Sequence, residues 1–265
     1  MDFITPSGEL TLKKDRKVIL LSLIVVSILA WIIMVYQARC MNAMNKMPMC
    51  IMPNMQSWST ADFLNVLLMW AVMMVAMMVP SAVPIVLVFA SINRKRQQRQ
   101  DPFVPTWIFL FGYLVAWIAF SILATFSQWY LHSQALLCPM MISTSPLFSG
   151  IVLSLAGIFQ FTPLKNTCLK HCQTPFHFIM TEWREGKLGA FLMGWQHGLF
   201  CTGCCWALMA LLFVVGVMNL VWIAIVSIVV LLEKVAPQSL KLSPIVGFLL
   251  MGWGISMMLG KFVFN

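Results

Sequence analysis

Seven stretches of apolar side chains, divided by polar and charged segments, run along the chain at residues 18–36, 62–92, 104–131, 147–162, 188–215, 219–232 and 243–263. A helix crossing a bilayer needs about 20 predominantly apolar residues. The second, third and fifth stretches exceed that length and must tilt or protrude, while the fourth and sixth fall short and rely on their neighbours. The pattern predicts an all-α, polytopic integral membrane bundle of about seven transmembrane helices. No change of composition marks a second domain, so residues 1–265 read as one transmembrane domain, with an extracytoplasmic loop at 37–61 and a cytoplasmic loop at 163–187. The first stretch is too long for the apolar core of a signal peptide. The Tyr36-Gln37-Ala38-Arg39 that follows lacks a small-residue cleavage site, so this helix is expected to be retained. No heptad or longer repeat interrupts the reading.

Basic residues fix the expected orientation, because loops rich in Lys and Arg stay cytoplasmic. With the N-terminus inside, Lys13, Lys14, Arg16, Lys17, Arg94, Lys95, Arg96, Arg99, Lys165, Lys170, Arg184, Lys187, Lys234 and Lys241 share the inner side. Only Arg39, Lys46 and Lys261 lie outside, a division of 14 to 3. The net charge of +9 is thereby explained as topology facing membrane lipid, and no nucleic-acid partner is needed to account for it.

Composition sharpens this picture. The chain is 61% hydrophobic and 9% charged, against about 45–50% and about 25% in soluble domains. It holds 22 Met and 8 Cys but only 4 His and 8 Asp plus Glu. Soft sulfur donors therefore outnumber hard oxygen donors, which favours Cu(I) over Mg(II) or Ca(II).

The sulfur is not scattered. Met41, Met44, Met47, Met49, Met52 and Met55, with Cys40 and Cys50, crowd the expected outer loop, where Pro48 and Pro53 oppose a long helix. Thioethers bind Cu(I) without losing a proton, so the loop reads as a capture site for monovalent copper or, without metal, as an adaptable Met-rich surface. Cys40 and Cys50 are candidates for a disulfide in an oxidising compartment. In the second stretch, Met69, Met73 and Met77 recur every four residues and share a helix face, with Met74 and Met78 beside it. That stripe is either a ligand ladder or core packing. In the fifth stretch Met193, His197, Cys201, Cys205 and Met209 step at intervals of four, with Cys204 adjacent. A histidine inside a membrane helix marks a functional site by default. Imidazole with thiolates suits Cu(I) or Zn(II), although a hydrogen-bonded histidine among inert thiols gives the same spacing. Gly194, Gly198 and Gly203 would let other helices approach closely. On the expected inner side Cys168 and Cys172 are spaced C-x3-C, with His171 turned from their shared face and Lys165 and Lys170 nearby to favour thiolates. An exchange site for a soft metal or a redox pair fits better than structural zinc, which needs more ligands than are at hand. Glu233, at the end of the sixth stretch, is either a helix-end anchor or a charge-compensating group. Asp62 favours the start of the second helix through the helix dipole.

Three blocks resemble a known family, the predicted metal-binding integral membrane proteins long catalogued as a domain of unknown function. They are Trp70-Ala71-Val72-Met73-Met74-Val75-Ala76-Met77-Met78-Val79-Pro80-Ser81; Phe161-Thr162-Pro163-Leu164-Lys165 with Cys168, His171, Cys172 and Pro175; and His197 through Met209, continuing to Met218-Asn219-Leu220 and Glu233-Lys234. The resemblance spans roughly residues 60–240, and the Cys204-Cys205-Trp206 block is its most specific part. The family includes copper chaperones for bacterial polyphenol oxidases of the tyrosinase type. It implies copper handling in a bacterial inner membrane, with a periplasmic cuproenzyme or another copper chaperone as partner.

Two functions follow as expectations. The first is a non-enzymatic Cu(I)-binding membrane protein that transports or delivers copper by ligand exchange among Met, Cys and His. No phosphate-binding G-x-x-x-x-G-K-[ST] loop is present, so coupling to ATP would require a partner. The alternative is a thiol–disulfide oxidoreductase relaying electrons between paired cysteines, which leaves the methionines unexplained. Zinc and haem fit the donor set less well; for haem only His197 lies deep in an apolar stretch.

Overall fold

A computed structural model describes residues 6–44, 58–98, 104–134, 145–236, 240 and 242–260. Among these residues the regular structure is all helical: α1 (Pro6–Met44), α2 (Thr60–Gln98), α3 (Thr106–Ser133), α4 (Pro146–Phe159), α5 (Pro163–Gln173), α6 (Pro175–Thr181), α7 (Gly186–Ala210), α8 (Leu212–Val215), α9 (Leu220–Val235) and α10 (Leu242–Met258). Each apolar stretch thus holds a helix. Four helical segments are long and apolar enough to cross a membrane: Asp15–Cys40, Thr60–Gln97, Thr106–Ser133 and Gly186–Val215. A fifth is added if α4 and α5, bent by 63° at their junction, count as one broken span. Helices α9 and α10, at 16 and 17 residues, are shorter than an ordinary crossing helix.

Helix starts are written in the sequence. Ser59 and Asp62 form a reciprocal cap: the Asp62 carboxylate accepts from the Ser59 amide at 3.0 Å and hydroxyl at 2.7 Å, while the Asp62 amide donates to Ser59 Oγ at 3.2 Å. Ser145-Pro146 and Thr162-Pro163 open α4 and α5 with a capping hydroxyl followed by a proline whose missing N–H costs nothing there. Gly216, at φ 96°, ends the run that includes α8. Within apolar helices, Ser27, Ser121 and Thr125 donate their hydroxyls to carbonyls one turn back, which pairs these three polar groups inside their own helices.

The most apolar window of α1 is only 17% buried, against 61% for α2 and for the α7–α8 run. Helix α1 is therefore peripheral, and α2 and α7 form the core. Small residues set the closest contact. A Cβ added at Gly194 of α7 would lie 2.0 Å from the Phe109 carbonyl oxygen of α3, and one at Gly112 of α3 would lie 2.2 Å from that of Phe191. With Gly198 facing Ala116 one turn on, α3 and α7 pack backbone to backbone, as small-xxx-small faces do in membranes. Helices α4 and α10 pair in the same way through Gly150, Gly157, Gly247 and Gly254.

Ion pairs gather at one end of the bundle. Arg94 reaches Asp15 at 3.1 Å, and Arg96 reaches Glu185 at 2.7 Å while lying over the Trp183 ring. These contacts place the early part of α1, the end of α2 and the start of α7 together. Trp58 donates to His132 at 3.2 Å, joining the start of α2 to the end of α3.

Candidate functional site

The segment expected as a loop at 163–187 folds mainly as α5 and α6, and these pack against the core. Residues three, four and seven apart share a helix face, so Lys165, Cys168, Leu169 and Cys172 line one side of α5. Lys165, Cys168 and Leu169 are buried. That face meets α7 at Gly203, where an added Cβ would stand 3.0 Å from the Cys168 sulfur. The absent side chain is what lets Cys168 lie over the Cys201-Thr202-Gly203-Cys204 turn. Cys172 interacts with the thiols of both Cys201 and Cys204. The cysteines expected at separate stations, in the bilayer and on the inner side, thus come together in one buried centre.

On α7, Cys201, Cys204 and Cys205 are each at most 2% exposed. The thiols of Cys204 and Cys205 both donate to the Cys201 carbonyl, at 3.1 and 2.9 Å. His197 stands one turn before Cys201, buried among Phe109, Tyr113 and Phe178. Its Nδ1 has no hydrogen-bond partner, which leaves a donor atom free beside the thiols. Met193 and Met209 lie fully buried on the same helix, and His171 stacks flat on Phe200 at 4.2 Å with its Nδ1 against the Thr167 carbonyl. His171 is therefore turned from the cysteine face, as its spacing predicts.

The centre is also charged; the sequence marked Lys165 and Glu233 singly, but not that they pair, nor that Lys234 reaches Cys201. Lys165 and Lys234 are both buried, at 0% and 8% exposure. Lys165 Nζ donates to the two Glu233 carboxylate oxygens at 2.7 and 2.8 Å and also to Gln160 Oε1. Gln173 Nε2 donates to the Glu233 carbonyl at 2.7 Å. Lys234, next in sequence, points elsewhere: its Nζ donates to Cys201 Sγ at 2.8 Å and to Ser81 Oγ at 2.9 Å. Tyr113 Oη lies 3.1 Å from the same sulfur and donates to the Met78 carbonyl at 3.2 Å. Of the two roles expected for Glu233, helix-end anchor and charge-compensating group, the buried pair with Lys165 fits the second. Subtracting Lys165 and Lys234 from the topology count leaves twelve inner charges to three, so the expected orientation does not depend on them.

The methionines of α2 are core residues: Met69, Met73, Met74, Met77 and Met78 are at most 5% exposed. What α2 is seen to bring to the cysteines is the Met78 carbonyl, through Tyr113, and the Ser81 hydroxyl. The outer Met47, Met49, Met52 and Met55 and Cys50 lie outside the described residues, as do the side chains of Met41 and Met44. Among the described residues Cys40, Cys168, Cys172, Cys201, Cys204 and Cys205 are free thiols, and no three or more His, Cys, Asp or Glu are placed so that together they could hold a metal ion. Thiols converging from two helices, with an imidazole nitrogen nearby, fit the low coordination that soft monovalent ions accept better than the four ligands of structural zinc.

Polar residues inside apolar stretches were the available signal for Tyr113, Ser81 and Gln160. For Lys165 and Lys234 the signal was weaker, since both sit at the edge of an apolar stretch, where a basic residue ordinarily marks topology.

A family model described as a copper chaperone, PpoB2, matches residues 67–257. That span runs from α2 to α10 and includes every residue of the centre. No curated protein matches the chain, and no solved structure does.

Proposed function

Since the chain belongs to the PpoB2 family of copper chaperones and is no enzyme, we propose that it holds Cu(I) inside a membrane bundle and hands it on by exchange among Met, Cys and His ligands. The observation that carries this is the meeting of Cys168 and Cys172 of α5 with Cys201 and Cys204 of α7 at a glycine notch. Two helices that each supply thiols, rather than one helix with a row of them, form a site that small motions can open and close.

In this reading the bundle crosses a bacterial inner membrane seven times, with α4, α9 and α10 completing the long helices and the N-terminus cytoplasmic. Met41, Met44, Met47, Met49, Met52 and Met55 exchange copper at the outer face. Met69, Met73, Met74, Met77 and Met78 border its way inward. Cys168, Cys172, Cys201 and Cys204 hold it, with His197, Cys205, Met193 and Met209 around them and His171 at the margin. The recipient is a periplasmic cuproenzyme. Each thiol that binds Cu(I) gives up its proton, and the buried cations near the centre favour the anionic sulfur that results.

Anaerobic Cu(I) titration of the purified protein beside a Cys201→Ser/Cys204→Ser/Cys205→Ser variant tests the proposal. Stoichiometric copper in the native chain, lost in the variant, is expected. The interaction of Cys172 with Cys201 and Cys204 favours a second reading, disulfide relay. An absence of copper binding together with a reversible disulfide among these cysteines would establish that reading instead.

A further inference from the structure

Lys165 has a carboxylate to neutralise it; Lys234 is bound to a hydroxyl and a sulfur. Its ammonium donates to Cys201 Sγ at 2.8 Å and is held there by Ser81 at 2.9 Å. The lysine is 8% exposed, so water does little to screen it. Its position is fixed from behind as well, because Glu233, the preceding residue, is gripped through its side chain by Lys165 and through its carbonyl by Gln173. A positive charge thus stands against a sulfur of the cysteine centre, held there by Ser81.

We infer that Lys234 sets the charge of the cation this centre accepts: it admits soft monovalent ions, Cu(I) and Ag(I), and turns away divalent ions such as Zn(II). The inference rests on the copper reading above. Any cation on Cys201 shares that sulfur with the ammonium, and repulsion scales with cation charge, so a divalent ion suffers it twice over. Thiolates can offset it, but each further thiolate must itself be made in a buried site. Zn(II) additionally demands four ligands, whereas no ready group of three or more such ligands is gathered among the described residues. Sulfur chemistry alone does not separate Cu(I) from Zn(II), since cysteine serves both; the lysine supplies the missing discrimination.

The test uses the full chain, purified in detergent without oxygen. Affinities for Ag(I), a redox-inert stand-in for Cu(I), and for Zn(II) are measured by competition with chelators for the native protein, Lys234→Met and Lys234→Arg. The native protein should prefer Ag(I). Lys234→Met should move the Ag(I):Zn(II) affinity ratio toward zinc by roughly a hundredfold to a thousandfold, the scale of one unit charge at a few ångström in a protein interior. Lys234→Arg, which keeps the charge, should keep the native order. An unchanged ratio in a folded Lys234→Met protein overturns the inference, and so does a native protein that binds Zn(II) as tightly as Ag(I), which needs no variant at all. A native protein that binds neither ion overturns the copper reading itself.

Discussion

Glu233 and Lys234 are neighbours in the chain and serve different helices. One grips α5 through Lys165 and Gln173; the other grips α7 through Cys201 and α2 through Ser81. A buried pair contributes little net stability, yet removing one partner strands the other charge and costs about 3–5 kcal/mol. Lys165→Met should therefore lower the thermal midpoint sharply, and Lys165→Met with Glu233→Met should recover most of the loss. Equal destabilisation by the single and double variants would show that the pair is not what holds α5. None of this was legible from a count of basic residues. Lys165 finds its partner 68 residues away and Lys234 finds Cys201 33 residues away, and positive-inside reasoning assigns a lysine to a side without knowing what it meets. By contrast, Asp62 at a helix start and His171 off the cysteine face follow from local geometry, and the structure agrees with both.

At the scale of elements, the apolar stretches located every long helix, and Gly194 and Gly198 correctly marked a close helix contact. Helix α5 was different. Its composition is polar enough to read as a loop, and only its spacing, with Lys165, Cys168, Leu169 and Cys172 on one side, carries the information that it packs inward. Gly203 then decides how closely. A Cβ there would meet the Cys168 sulfur at 3.0 Å, so Gly203→Val should push α5 from α7. Cross-linking of Cys172 to Cys201 or Cys204 by mild oxidation, read as a change in alkylation mass, should proceed in the native protein and fall severalfold in the variant. Gly194→Leu should be harsher, since its Cβ would lie 2.0 Å from a carbonyl oxygen and backbone cannot yield as a side chain does. A loss of about 1–3 kcal/mol or more is expected from such overpacking, measurable by thermal unfolding.

For the whole molecule, the ion pairs Arg94–Asp15 and Arg96–Glu185 gather the expected inner ends of α1, α2 and α7, as the charge pattern requires of a bundle. If that end is cytoplasmic, cysteines introduced at Lys17, Gln97 and Glu185 should be protected from an impermeant maleimide in intact cells, and one at Ser59 should react. The opposite pattern would invert the topology. Among the described residues the sulfur draws together: the α5 cysteines join those of α7, and the α2 methionines lie in the same core.

That convergence is the central claim, and a double-mutant cycle on Cu(I) affinity tests it most directly. Cys172→Ser and Cys201→Ser should each weaken binding by about tenfold or more, and the double variant should be little worse than either alone, because residues that act as a unit are not additive. Losses that simply add, or a Cys172→Ser protein that binds Cu(I) as tightly as the native chain, would contradict a single centre shared by α5 and α7.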